Sequence, residues 1–276
     1  MMSGGIGIPA GPAMVLALGL LLCSCSVKED RRACPCYVRM EVGEFLHAGL
    51  PEALVSFSSG GGIRRSEVDL SEFRESGLVQ SLPRGAAGAA LAAGLDCMEV
   101  RGDSLVVPYG QEADPLWLYA EKFVCDGDEK HLQAVPCKQY CTLTVVVSGL
   151  EEDVDHGMTL SVMAGSCALD IYSARPLAGA YRAVARRSGA SAFQVRIPRQ
   201  SGYGLLLEIL VPSGGEDGQE NLSRVLDLGS EFRKAGYDWQ RRNLQDASAL
   251  VDYSGAEISL SIGDWDVDGS FGDIEI

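Results

Sequence analysis

Nine cysteines, three histidines and a carboxylate run near the C-terminus are the residues of this 276-residue chain whose types could do chemistry. The sharpest spacing is Asp264-x-Asp266-x-Asp268-Gly269, with Ser270 at the seventh position and Glu275 at the twelfth, which is the oxygen-ligand pattern of a calcium loop. A helix–loop–helix calcium site needs a helix on each side, whereas Glu257 to Ile262 alternates like a strand and no exiting helix follows. A solvated acidic tail is the competing reading, and calcium is the one cofactor the sequence offers. His47, His131 and His156 stand outside any nucleophile or metal motif. Neither a Gly-x-Ser-x-Gly elbow nor a phosphate-binding glycine loop occurs, so no catalytic residues and no enzymatic activity are expected.

Cys25 has chemistry of a different kind. Ala13 to Leu22 is an apolar run too short to cross a bilayer and reads as the h-region of an export signal, although residues 1–12 carry no Lys or Arg. It leads into Leu22-Cys23-Ser24-Cys25, which resembles a bacterial lipobox, with the acylated Cys25 as mature N-terminus. An ordinary cleaved signal with a chance cysteine is the alternative. Ser26 to Asp30 then reads as a tether and resembles an export tag that directs lipoproteins to the outer face of the outer membrane.

Seven cysteines remain: Cys34, Cys36, Cys97, Cys125, Cys137, Cys141 and Cys167. Outside the inner membrane they can form up to three disulfides with one thiol left over, in connectivities that spacing does not choose. Cys34 and Cys36 are poorly placed to bridge to each other across an extended Cys-Pro-Cys. Zinc on Cys137 and Cys141 would need a second close pair, which Cys125 alone does not supply. A net charge of -15 repels phosphate backbones, which excludes nucleic acid as a partner.

The elements that must position these residues are short strands. Tyr37 to Val42, Ala53 to Ser58, Cys97 to Arg101, Ser104 to Val107, Leu116 to Cys125, Tyr140 to Ser148, Leu160 to Ala164, Ala168 to Tyr172, Phe193 to Ile197, Leu205 to Val211 and Glu257 to Ile262 all alternate or are rich in β-branched residues. Glu231 to Ala235 and parts of Asp69 to Glu75 look helical, residues 84–95 read as a weak helix or loose loop, and Asp126 to Pro136 reads as a polar connection. The fold class is therefore all-β, with two tandem antiparallel β-sandwich domains. The expected division is a signal peptide over 1–24, a tether over 25–33, an N-terminal sandwich over 34–135 and a C-terminal sandwich over 136–276.

Four landmarks occur in order: Cys25 to Arg32, Cys34-Pro35-Cys36-Tyr37, Gly236-Tyr237-Asp238-Trp239 and Ile262-Gly263-Asp264-Trp265. Together they resemble the FimB-like family of fimbrial anchor and minor-subunit lipoproteins of type V pili. The resemblance implies transthyretin-like sandwiches, lipid anchorage at Cys25, a surface-exposed place on the outer membrane, and association with fimbrial structural subunits through β-strand addition in adhesion and biofilm formation. A surface glycan-binding lipoprotein is the alternative, with Trp117, Trp239 and Trp265 either as sugar platforms or as core. Arg101-Gly102-Asp103 matches an integrin-recognition tripeptide and equally suits a hairpin turn. Cys25→Ala is expected to move the protein out of the membrane fraction and to abolish labelled-palmitate incorporation; a variant that still partitions with membranes would sink the acylation reading.

Overall fold

Alternation in the sequence becomes burial in the fold. In β1 (Cys36–Glu41) residues Cys36, Val38 and Met40 point inward while Tyr37, Arg39 and Glu41 face out. A short helix α1 (Gly43–His47) follows, then β2 (Glu52–Ser59), β3 (Gly62–Asp69), β4 (Leu78–Leu82) and β5 (Gly85–Ala93). The computed structural model describes residues 34–60, 62–149, 157–211, 222–255 and 257–263. Cys25 and the Asp264 to Glu275 loop lie outside these.

The chain continues with a small hairpin, β6 (Glu99–Arg101) and β7 (Ser104–Val106), and then β8 (Trp117–Cys125), β9 (Glu129–Gln133) and β10 (Cys137–Lys138). The sheet β4-β1-β9 packs against the sheet β10-β8-β5-β2-β3, and Phe45, Phe57, Leu70, Leu91 and Phe123 lie in the core between them. After these come β11 (Tyr140–Ser148), β12 (Thr159–Asp170), β13 (Pro176–Val184), β14 (Arg186–Arg187), β15 (Ala192–Pro198), β16 (Leu206–Val211), β17 (Leu222–Leu226), helix α2 (Leu228–Lys234), β18 (Asp246–Asp252) and β19 (Glu257–Gly263). They build a second sandwich, in which β14-β15-β11-β18-β19 faces β17-β16-β12-β7-β6 with β13 on the other side of β12. Most pairs are antiparallel; β1 with β9 and β11 with β18 are parallel. The expected all-β pair of sandwiches is the fold observed.

Two expectations need correction. Residues 84–95 are neither helix nor loop, because Gly85–Ala93 is a strand hydrogen-bonded along its length to β8 and over six residues to β2. Its alanines and two glycines have no helical partner surface, and their small size is what a doubly covered strand requires. Ala87, Ala89, Leu91 and Ala93 face the first core, while Ala90 and Ala92 belong to the core cluster of the second sandwich. Residues 126–136 are also more than a connection, since Glu129–Gln133 pairs in parallel with β1. Leu132 is the single inward apolar anchor of that strand, too little alternation to be read locally.

The two sandwiches exchange strands. The β6–β7 hairpin leaves the N-terminal half of the chain to pair with β12, and β10 pairs with β8 before the chain enters β11. Only Gln139, itself buried, separates β10 from β11. On the outer face of β5 the ring of Tyr172 closes over Gly88, and its hydroxyl bonds the buried Ser56 Oγ at 2.7 Å. A Cβ on Gly88 would stand 2.8 Å from the Ser58 hydroxyl and 2.9 Å from the Tyr172 ring. Gly88→Val should therefore lower unfolding free energy by about 3 kcal/mol in urea titration, whereas Gly165→Ala, with open space around it, should change it by about 0.5 kcal/mol or less. Equal effects would mean that β5 does not pack as described.

Candidate functional site

Functional side chains could sit in a chemical centre or on an interaction surface. Among the described residues no three His, Cys, Asp or Glu side chains gather closely enough to hold a metal. Two of the thiols are the reverse of activated: burial, then the Asp114 carboxylate, pushes Cys97 up to about 12, and burial pushes Cys141 up to about 12. Asp114 accepts backbone N–H bonds from Asp96 at 2.8 Å, Cys97 at 3.0 Å and Met98 at 2.8 Å. Burial opposes its ionisation, yet these donors win and hold its carboxyl below the usual range. This clamp fixes the segment that delivers β6 and β7 to the second sandwich.

Arg101-Gly102-Asp103 forms the turn of that hairpin, with Gly102 at φ 55°. Both of its charges are engaged within the chain. Arg101 Nε donates to Glu99 at 2.8 Å, and Arg65 donates to the Gly102 carbonyl while standing 3.8 Å from the Asp103 carboxylate. The tripeptide thus serves the hairpin it caps.

The Gly236-Tyr237-Asp238-Trp239 landmark is structural residue by residue. Asp227 caps α2 by accepting from Ser230 N at 3.0 Å, and Gly236 ends it at φ 74°, a left-handed position that suits glycine. Tyr237 donates its hydroxyl to Gln245 O at 2.6 Å, and Asp238 accepts from Gln240 N at 2.8 Å. Trp239, 3% exposed, stacks on Phe232 with centroids 5.4 Å apart, so it is core and no sugar platform; Trp117 is half-buried. The Trp239 indole N–H is buried without a partner.

Sequence patterns gave no hint of Arg199. Its guanidinium, 5% exposed, donates to Gln139 Oε1 at 2.8 Å and to the carbonyls of Trp239 at 2.6 Å, Arg241 at 2.9 Å and Arg242 at 3.1 Å. Burial lowers its pKa, but the ring of acceptors keeps the charge tolerable. This node ties the residue joining the two sandwiches to the landmark loop. Beside it opens a recess of about 570 Å³ lined by Tyr119, Glu121, Gln133, Arg175, Gln240 and Arg242.

The remaining surfaces are sheet edges, which differ in how they guard against pairing. β3 carries Arg64, Arg65, Glu67 and Asp69, and β9 carries Glu129, Lys130 and His131. β14 has two residues and β6 three, while the β12–β13 ladder shifts register twice. Among the described residues β19 has a single charge, Glu257 at its first position, and neither a short length nor a register shift. It reads Glu-Ile-Ser-Leu-Ser-Ile-Gly, holds seven consecutive residues in register with β18, and seats Ile258, Leu260 and Ile262 against the core.

No protein-family model and no curated protein sequence matches the chain. Solved structures do match it. A candidate adhesin of Bacteroides ovatus superposes at TM-score 0.55 with 11% identity, over 84% of this chain and 94% of that one. A candidate polysaccharide-binding protein of Bacteroides thetaiotaomicron gives 0.53 with 9% identity, over 84% and 96%. The fimbrial anchor protein Mfa2 of Porphyromonas gingivalis gives 0.52 with 12% identity, over 84% and 98%. The fold implied by the resemblance in the sequence is thus shared with a fimbrial anchor protein. Arg199→Lys, which cannot reproduce the forked donor set, is expected to cost about 3 kcal/mol in chemical unfolding. A loss of about 0.5 kcal/mol or less would show the node to be dispensable.

Proposed function

We propose that this chain is a cell-surface fimbrial subunit, anchored in the outer membrane by acyl chains on Cys25 and joined to fimbrial structural subunits by β-strand addition. Three lines support the reading. The sequence landmarks resemble fimbrial anchor lipoproteins, the fold is that of a fimbrial anchor protein and candidate adhesins, and among the described residues one long sheet edge carries a single charge and no register shift. The last observation carries the mechanism. An extended segment from a neighbouring subunit laid along β19 would gain a ladder of main-chain hydrogen bonds, and the sheet would grow by one strand. No chemistry is required of side chains. The domain division expected at residue 136 fits the same picture if each sandwich is read as one module, with the β6–β7 hairpin and β10 crossing between them.

The glycan-binding alternative has less to rest on. The recess beside Arg199 offers hydrogen-bonding groups, but Trp239 is not among its lining residues and, being buried, presents no face for stacking a sugar ring.

Residues Ser259 and Ser261 are exposed on β19, so lysines there should leave the fold intact while guarding the edge. In cells producing Ser259→Lys/Ser261→Lys, electron microscopy should show fimbriae reduced about tenfold, with the variant still exposed to added protease. Deleting residues 267–276 should leave fimbriae attached. Undiminished fimbriae on the lysine variant would refute the β19 edge as the joining surface.

A further inference from the structure

We infer that Cys36 and Cys125 are joined by a disulfide that staples the two sheets of the first sandwich at one corner. Cys36 on β1 stands opposite Leu82 at the end of β4, and Cys125 on β8 stands opposite Gly85 at the start of β5. Only Pro83 and Arg84 separate Leu82 from Gly85, so the two cysteines flank a single tight crossover between the sheets. The chain closes the same corner from the other side. Residues 126–128 lead from Cys125 to β9, and Tyr37 N donates to Asp128 O at 2.8 Å.

Both side chains point into the same core, Cys36 at 0% and Cys125 at 1% exposure. Burial first, and the neighbouring Cys36 thiol second, push the Cys125 thiol up to about 11. Four other sulfurs are turned elsewhere. Cys97 donates to Asp114 at 2.9 Å, Cys137 accepts from Arg242 Nε at 3.1 Å, Cys141 faces Tyr237, and Cys167 Sγ fills the space above Gly179. In the structure all seven are thiols.

The pairing rests on the export signal read in residues 1–24, because oxidant must be met outside the inner membrane. There a thiol–disulfide oxidoreductase in its oxidised form supplies it. The thiolate of one cysteine attacks the enzyme's disulfide, and the second thiolate displaces the enzyme from the mixed disulfide. One S–S bond forms in this chain and one breaks in the enzyme, which leaves as a dithiol carrying both electrons and both protons. Burial of the pair in the finished core shields both sulfurs from exchange, so the bridge forms before the sandwich closes.

The test takes the purified full chain, reduced and denatured, and refolds it in a reduced and oxidised glutathione mixture independent of export. After trapping with iodoacetamide and tryptic digestion, fragment 33–39 should be recovered linked to fragment 123–130. The linkage should persist in Cys34→Ser and vanish in Cys36→Ser. Because Cys36→Ser could also hinder folding, wild-type protein is melted with and without a phosphine reductant, and reduction should lower Tm on the order of 10 °C for a closed loop of roughly 90 residues. Recovery of both fragments singly alkylated, a bridge that survives Cys36→Ser through Cys34, or an unmoved Tm would overturn the pairing.

Discussion

Strands of a two-sheet sandwich ordinarily bury one face and wet the other, and their sequences alternate to match. β5 lies between two cores and has no wet face for most of its length. Ala87, Ala89, Leu91 and Ala93 close the first core, and Gly88, Ala90 and Ala92 receive the second sandwich. Each methyl contributes little, about 0.8 kcal/mol of burial. What the small side chains provide is proximity, which brings the Tyr172 hydroxyl within 2.7 Å of the buried Ser56 and lets Leu116 and Leu118 share the second core. The strand exchanges depend on that closeness: β7 can reach β12, and β10 can reach β8, because the sandwiches are already in contact across β5.

The second sandwich adds a polar counterpart to this apolar seam. Arg199 sits where the chain passes from one sandwich to the other and holds Gln139 and the turn after Trp239 together. A lone buried guanidinium is costly, but carbonyl acceptors, unlike a carboxylate, add no second charge to desolvate. The same turn is packed from below by Phe232, Tyr237 and Trp239, whose centroids lie 4.6 to 5.4 Å apart. Seam and node therefore fix the same boundary by independent forces.

How far the fold could be read from sequence follows from this division. Tyr140–Ser148 and Glu257–Gly263 bury one face each, so alternation announced them almost to the residue. β12 was split in two because Gly165 and the bulge around Ser166 interrupt its apolar rhythm. β5 was misread because burial on both faces erases alternation, and β9 because its stability comes from β1, some ninety residues earlier. Site residues divide in the same way. The Gly236 to Trp239 landmark was visible as a motif, although its reasons are a helix stop, a hydroxyl bond and a stacked ring. Arg199 left no signal, since its partners are backbone carbonyls that every residue possesses. Cys36 and Cys125 were visible as cysteines, yet only the crossover at Pro83 and Arg84 brings them to one corner.

The one-residue passage from β10 to β11 has a mechanical meaning. A tether of a dozen polar residues between modules would lengthen under tension and let them swing apart. Here a pull on either sandwich arrives at Gln139, which is buried, bonded through its main chain to Leu116 and Arg199, and gripped at its side chain by the Arg199 guanidinium. There is no slack to take up. Load passes directly into the ladders of β8 and β15 as shear across several hydrogen bonds at once, so the molecule should transmit force as a stiff bracket.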